Sequence, residues 1–260
     1  MPYTTISLDC RPPLAIVTLQ HRSRERTIDR TLLTELQAAV EQLCDTDAIR
    51  AAILTGTDGV FSGGWDSALL QELRQSDPPE RREELLAHSF QFLAEAGLPT
   101  VAALNGDALS AGFELALACD LRIAATSARL GLPETASGLI PMGGGTQRLA
   151  RLAGRAVALQ MVLTAEPVDA ATALRYGLVS AVVEPENLLS AACTLGTAIA
   201  ERGPLAVRLA KEAVHRGVEM PLEQALRFET DLTVLLQTTE DRAEGVRAFE
   251  EKRRPEFEGR

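Results

Sequence analysis

Short apolar runs alternate with helical stretches up to about residue 183 of this 260-residue chain, and beyond that point the strands stop. Leu14 to Leu19 reads as a strand, Ala51 to Leu54 as a second, Val101 to Leu104 as a third and Leu121 to Ala125 as a fourth. Between them, Leu32, Leu33, Leu36, Ala39, Val40 and Leu43 recur at helical spacing, which predicts an amphipathic helix over 29–44. Arg81 to Glu95 has helical composition and is ended by Gly97-Leu98-Pro99. Ala111 to Ala118 is nearly all apolar, so a helix there must be buried all round. This order of strand, helix and strand predicts an α/β core. After Ser180-Ala181-Val182-Val183, residues 188–202, 205–216, 222–238 and 240–252 read as helices. The expected division is an α/β core over 1–195 and a helical region over 196–260.

Composition narrows the function classes. The chain is 46% hydrophobic with a net charge of −10, a balance that repels nucleic acid. It holds no apolar run of the roughly 18 residues that cross a bilayer. The start, Met1-Pro2-Tyr3-Thr4-Thr5, lacks the basic and apolar regions of a signal peptide, and a cytoplasmic protein is expected. Cys10, Cys44, Cys119 and Cys193 are far apart, which argues for reduced thiols, and His21, His88 and His215 are scattered, so no metal site is expected. Basic residues cluster at Arg22, Arg24, Arg26 and Arg30 and again at Lys252, Arg253 and Arg254. Each cluster can hold phosphates or form a solvated face.

The chemistry lies in two glutamate segments. In Ser110-Ala111-Gly112-Phe113-Glu114 a helix starts near Ala111, and the first N–H groups of a helix have no internal partner. Small residues let an oxygen approach that backbone closely. Glu114 lies three residues on, on the same face. Small residues before a helix also serve plain packing, and a first-turn Glu is favourable without any catalysis. Phe61-Ser62-Gly63-Gly64-Trp65-Asp66 offers a further exposed amide at its glycine pair, with Asp66 expected to cap the helix that follows. Two amides aimed at one oxygen make an oxyanion hole, and losing one such donor costs about 3–4 kcal/mol in the barrier. The second glutamate, Glu134, follows Gly131-Leu132-Pro133, ahead of Ile140-Pro141-Met142-Gly143-Gly144-Gly145-Thr146. That glycine run lacks the lysine of a phosphate loop, and no G-x-G-x-x-G after a strand and no G-x-S-x-G is present.

Taken together, Asn105 to Asp120, Pro133-Glu134 and Ile140 to Leu149 resemble the enoyl-CoA hydratase/isomerase family, the crotonase fold. The likeness runs from Ile16-Val17-Thr18-Leu19 to Glu251-Lys252-Arg253. It implies a spiral of ββα repeats with a C-terminal helical region for oligomerisation, as a trimer or a dimer of trimers. It implies an acyl-CoA substrate and no metal or redox cofactor, coenzyme A being part of the substrate. By matching motif positions, the oxyanion amides fall on Gly63 and Ala111, the second usually glycine in relatives. The catalytic glutamates fall on Glu114 and Glu134, with water activation assigned to the first and proton delivery to the α-carbon to the second. The activity implied is hydration of a 2-enoyl-CoA. Isomerisation, decarboxylation or thioester hydrolysis are the alternatives, and a CoA-binding scaffold is a third reading.

Two departures stand out. Relatives carry Leu-Asn-Arg-Pro near the start, where this chain has Leu19-Gln20-His21-Arg22-Ser23-Arg24, leaving Arg22 and Arg24 as candidates for the CoA phosphates. Trp65, beside Gly64 and Asp66, stands where relatives have something smaller, and reads either as a packed aromatic or as a wall of the acyl or pantetheine site. Phe249 and Lys252 match positions that reach a neighbouring subunit's CoA in relatives. The acyl group itself is expected to meet the helix near 81–96.

Overall fold

The computed structural model describes residues 3–75 and 88–260. Its largest sheet orders β1 (Ile6–Arg11), β2 (Leu14–Leu19), β4 (Ala51–Thr55), β7 (Thr100–Leu104), β9 (Leu121–Ala125) and β12 (Ala181–Val183). Only β1 runs antiparallel, against β2; the rest are parallel. Every residue of β4 and β7 is buried, as expected of parallel strands covered on both faces.

The two faces are covered by different elements. Val17, Ala52, Leu54, Ala102 and Leu104 point into the main core, which also takes Leu32, Leu36, Ala39, Val40 and Leu43 of α1 (Arg30–Cys44). Ile16, Ala51, Ile53, Val101 and Ala103 form a second layer under Leu188 and Ala192 of α7 (Leu188–Ala200). The domain boundary expected at residue 195 therefore falls inside a helix that belongs to the core. The apolar side of α7 covers the sheet. The reading of 81–95 as a helix lies largely outside the described residues, and its end is seen as α3 (Gln91–Ala94).

The site is set up by a second, smaller sheet. After each of β4, β7 and β9 the chain turns into a three-residue strand: β5 (Val60–Ser62), β8 (Asp107–Leu109) and β10 (Arg129–Gly131). These stack in parallel, Val60 opposite Asp107 and Gly131 opposite Leu109. A helical segment follows each: α2 (Ser67–Gln75), α4 (Ala111–Ala118) and a 3-10 turn over Pro133–Ser137. That repeat is the ββα spiral.

Beyond α7, the helices α8 (Pro204–Gly217), α9 (Leu222–Leu236) and α10 (Glu240–Glu250) bury little. A tie to the core runs through Asp120 at the end of α4. Its carboxylate accepts from the Thr100 amide and from Lys211 Nζ, both at 2.8 Å, and faces His215 Nε2 at 2.8 Å.

Candidate active site

Stacking β5, β8 and β10 sets the residues just past their ends side by side. Ser110 N–H donates to the Gly131 carbonyl at 2.9 Å. A Cβ on Gly64 would stand 2.7 Å from Ser110 Cβ, and Gly64 has φ +123°, so both space and backbone favour glycine there. Ser110 itself is held at φ 52°, where a side chain is strained, at the turn from β8 into α4. Three segments remote in sequence thus meet: 63–65, 110–114 and 132–134.

Glu114 sits in the first turn of α4, whose residues are all buried. Its Oε1 accepts from the amides of Gly143 and Gly145, each at 2.8 Å. Gly145 opens α5 (Gly145–Thr164), so one of these donors is a helix N-terminus. The fit excludes side chains: a Cβ at Gly143 would lie 2.9 Å from Glu114 Oε2, and one at Gly145 would lie 2.9 Å from Oε1. Arg148 fastens the loop, donating from Nη1 to the Gly143 carbonyl at 2.8 Å and from Nη2 to Gln91 Oε1 at 3.0 Å. Burial pushes the Glu114 carboxyl up to about 7, against the pull of the Gly145 and Gly143 amides and of Arg148, with the Glu134 charge adding to the rise.

Glu134 lies in the 3-10 turn, buried, with both carboxylate oxygens free of hydrogen-bond partners. Burial raises its pKa; the nearby Ser110 hydroxyl and its own amide offset part of this without bonds of good geometry. Glu114 Oε2 is likewise buried and unpartnered. Two carboxyls that feel each other's charge therefore hold three free acceptor oxygens in a desolvated place. Buried carboxyls with free oxygens are suited to exchanging protons with whatever lies between them.

The amide donors differ from expectation at one position. Ala111 starts α4, and its N–H has no partner among the described residues. Gly63 is different: its N–H donates to the Arg26 carbonyl at 2.8 Å and cannot also serve an incoming oxygen. The reason is local pairing. β6 (Gly64–Trp65) runs parallel to β3 (Thr27–Ile28), and Asp66 N–H continues that ladder to the Ile28 carbonyl at 3.0 Å. Gly63 precedes β6; within the strand amides alternate sides, so beside Asp66, whose N–H faces β3, the Trp65 N–H turns to the other edge.

The chain matches known proteins over nearly its whole length. The model of the family described as Enoyl-CoA hydratase/isomerase matches residues 11–260. The chain belongs to the enoyl-CoA hydratase/isomerase family. The crotonyl-CoA hydratase of Syntrophomonas wolfei is 38% identical over 258 residues, 99% of each chain. The 2,3-dehydroadipyl-CoA hydratase of Escherichia coli is 37% identical, covering 94% of this chain and 95% of its own. The crystal structure of an enoyl-CoA hydratase from Bacillus anthracis superposes with a TM-score of 0.92 at 37% identity, covering 99% of this chain and all of its own. The crotonase fold and a hydratase/isomerase type of activity follow.

The remaining family positions are placed unevenly. Asp66 caps α2, accepting from the Ala68 and Leu69 amides at 2.9 and 3.1 Å. Arg22 and Arg24 are exposed, Arg22 bonded to Thr4 Oγ1 at 2.6 Å. Phe249, 84% exposed, and Lys252 lie at the end of α10, in the part of the chain that buries little. His21, read in the sequence only as one of three scattered histidines, is buried with its ring nitrogens facing the carbonyls of Thr27 and Phe61 at 3.1 and 2.9 Å. It joins β3 to the end of β5 and so steadies the 63–65 turn. The signal available was its place in an otherwise basic, polar stretch. Phe90, stacked on Trp65 at 5.5 Å, was missed as well.

Proposed function

We propose that the protein hydrates 2-enoyl-CoA thioesters. The observation that carries this is the pair of buried glutamates with unpartnered oxygens, Glu114 Oε2 and both oxygens of Glu134. These are the acceptors that the two O–H groups of a water need. The thioester oxygen sits between the amides of Trp65 and Ala111, which take up the negative charge of the enolate. Glu114, held toward its ionised form by two amides, draws a proton from water as the oxygen attacks the β-carbon. Glu134, whose burial favours the protonated form, delivers a proton to the α-carbon. The two glutamates then exchange roles in the reverse direction. Base, acid and donors are all protein groups, so the reaction needs no metal or redox cofactor.

The acyl group is a separate matter. Relatives named for crotonyl-CoA and for 2,3-dehydroadipyl-CoA stand at nearly equal identity to this chain, so likeness does not select between them. The protein is further read as a homo-oligomer, a trimer or a pair of trimers, with Phe249 and Lys252 completing a neighbour's CoA site. The support is their exposure on helices that bury little of their own apolar surface.

The test is hydration of crotonyl-CoA, followed by loss of the conjugated-thioester absorbance. Glu114→Gln and Glu134→Gln are each expected to lower kcat by about 10²–10⁴. Hydration at the wild-type rate in either variant overturns the reading. Conversion of a 3-enoyl-CoA to its 2-isomer, with no hydration of either, would assign isomerisation instead.

A further inference from the structure

Four buried side-chain polar atoms among the described residues have no hydrogen-bond partner. Three are the glutamate oxygens above; the fourth is Nε1 of Trp65, the one tryptophan of the chain. Trp65 is 7% exposed. Its main chain lies next to Ser110 and the start of α4, because a Cβ on the preceding Gly64 would touch Ser110 Cβ. Its ring stacks on Phe90 with centroids 5.5 Å apart and planes 13° from parallel. The edge of the Phe90 ring and Glu114 Oε2 each lie 2.9 Å from one point, the Cβ position of Gly143. The main chain of Trp65 thus lies on the amide side of the site, and its ring neighbours the glutamate side through Phe90.

A buried N–H without an acceptor is costly, and phenylalanine at this position would keep the stacking without that cost. An indole earns its place when a ligand brings the acceptor. We propose that the Trp65 indole N–H selects enoyl thioesters whose acyl group carries a neutral oxygen acceptor, such as a keto, ether or hydroxyl oxygen, beyond the β-carbon. A neutral oxygen fits better than a carboxylate, because the ionised form of Glu114 that draws the proton from water already places one negative charge in a desolvated site, and a second charge there would be unpaired. The parallel rings of Trp65 and Phe90 add a flat apolar wall, which suits a narrow or planar chain. This inference rests on the hydratase reading for the reaction, but the recognition itself does not require turnover.

The binding test uses the wild-type protein and one signal. A ¹H–¹⁵N spectrum holds a single indole resonance, since the chain has one tryptophan. Saturated acyl-CoAs, which cannot be hydrated, are titrated in three matched forms: all-carbon, with a chain ether oxygen in place of one methylene, and with a terminal carboxylate. The indole proton is expected to move downfield with the ether form and not with the all-carbon form. Equal shifts with both, which would make the thioester or a water the acceptor, overturn the proposal, as does no shift with either. A larger shift with the carboxylate overturns the neutral class. In kinetics, kcat/KM for the oxygen-bearing enoyl-CoA should exceed that of its all-carbon match by about tenfold or more, and Trp65→Phe should bring the ratio near one. A ratio kept in Trp65→Phe also overturns it. If no enoyl-CoA is hydrated yet the ether-specific shift appears, the hydratase reading fails and the recognition stands.

Discussion

Glu114 is a carboxyl under opposing demands, and the balance can be measured. Burial pushes it up to about 7 from an ordinary 4.5, while two amides and Arg148 pull it back toward the ionised form. A carboxyl whose folded pKa is raised carries no charge penalty below its unfolded pKa. The penalty then grows as pH rises and is complete above the folded value. Glu114→Gln removes that penalty, because the amide is neutral at every pH. The variant is therefore expected to gain stability over the wild type between pH 4.5 and about 7, reaching roughly 3 kcal/mol and staying level above that. Urea unfolding at pH 4, 6 and 8 checks it; a difference independent of pH would show that Glu114 is not desolvated. The same residue predicts the activity profile. Water activation needs the ionised form, so kcat/KM should fall as pH drops through about 7.

At the level of elements, the site depends on chain segments that pass close to one another. The start of α5 meets Glu114 so tightly that an alanine Cβ at Gly145 would lie 2.9 Å from Oε1 and 3.0 Å from Cγ. Gly145→Ala should displace the carboxylate and lower kcat about a hundredfold with the fold intact. Gly217→Ala, where the nearest atom to the new Cβ is 3.7 Å away, serves as the control and should leave kcat unchanged. Equal kcat in the two variants would mean that Glu114 tolerates the shift. The elements with a strong period were legible in the sequence. The helix read over 29–44 is Arg30–Cys44 with Asp29 as its cap, and the apolar run Ala111–Ala118 is a buried helix. The elements that build the site were not. β5, β8 and β10 have three residues each, too few to show an alternation. Which amide of the 63–65 turn is free depends on pairing with β3, a strand of two residues that no local pattern announces. The segments holding Glu114 and Glu134 were legible in the sequence, and the pairing of β8 with β10 is what sets those segments side by side.

The molecule as a whole leaves its last three helices, α8 to α10, largely uncovered. α8 buries no residue of its own, and Val214, Val218 and Leu222 are 67%, 72% and 75% exposed. Leu226, Val234 and Leu235 on α9 are exposed as well. An isolated chain rarely presents so much apolar surface to water; burying it against copies of the chain is the economical solution, and closed symmetry limits how many copies join. Sedimentation at micromolar concentration should give the mass of three chains or of six. Adding charge at the proposed contact, with Val218→Asp and Leu222→Asp together, should shift the sedimenting species toward one chain, because exposed positions cost a monomer little. If Phe249 completes a neighbour's CoA site, the dissociated variant should also show a raised KM for enoyl-CoA, as should Phe249→Ala in the intact oligomer. A wild-type protein that sediments as one chain and binds enoyl-CoA with full affinity would remove both the assembly and the shared site, and would leave Phe249 and Lys252 without a part in catalysis.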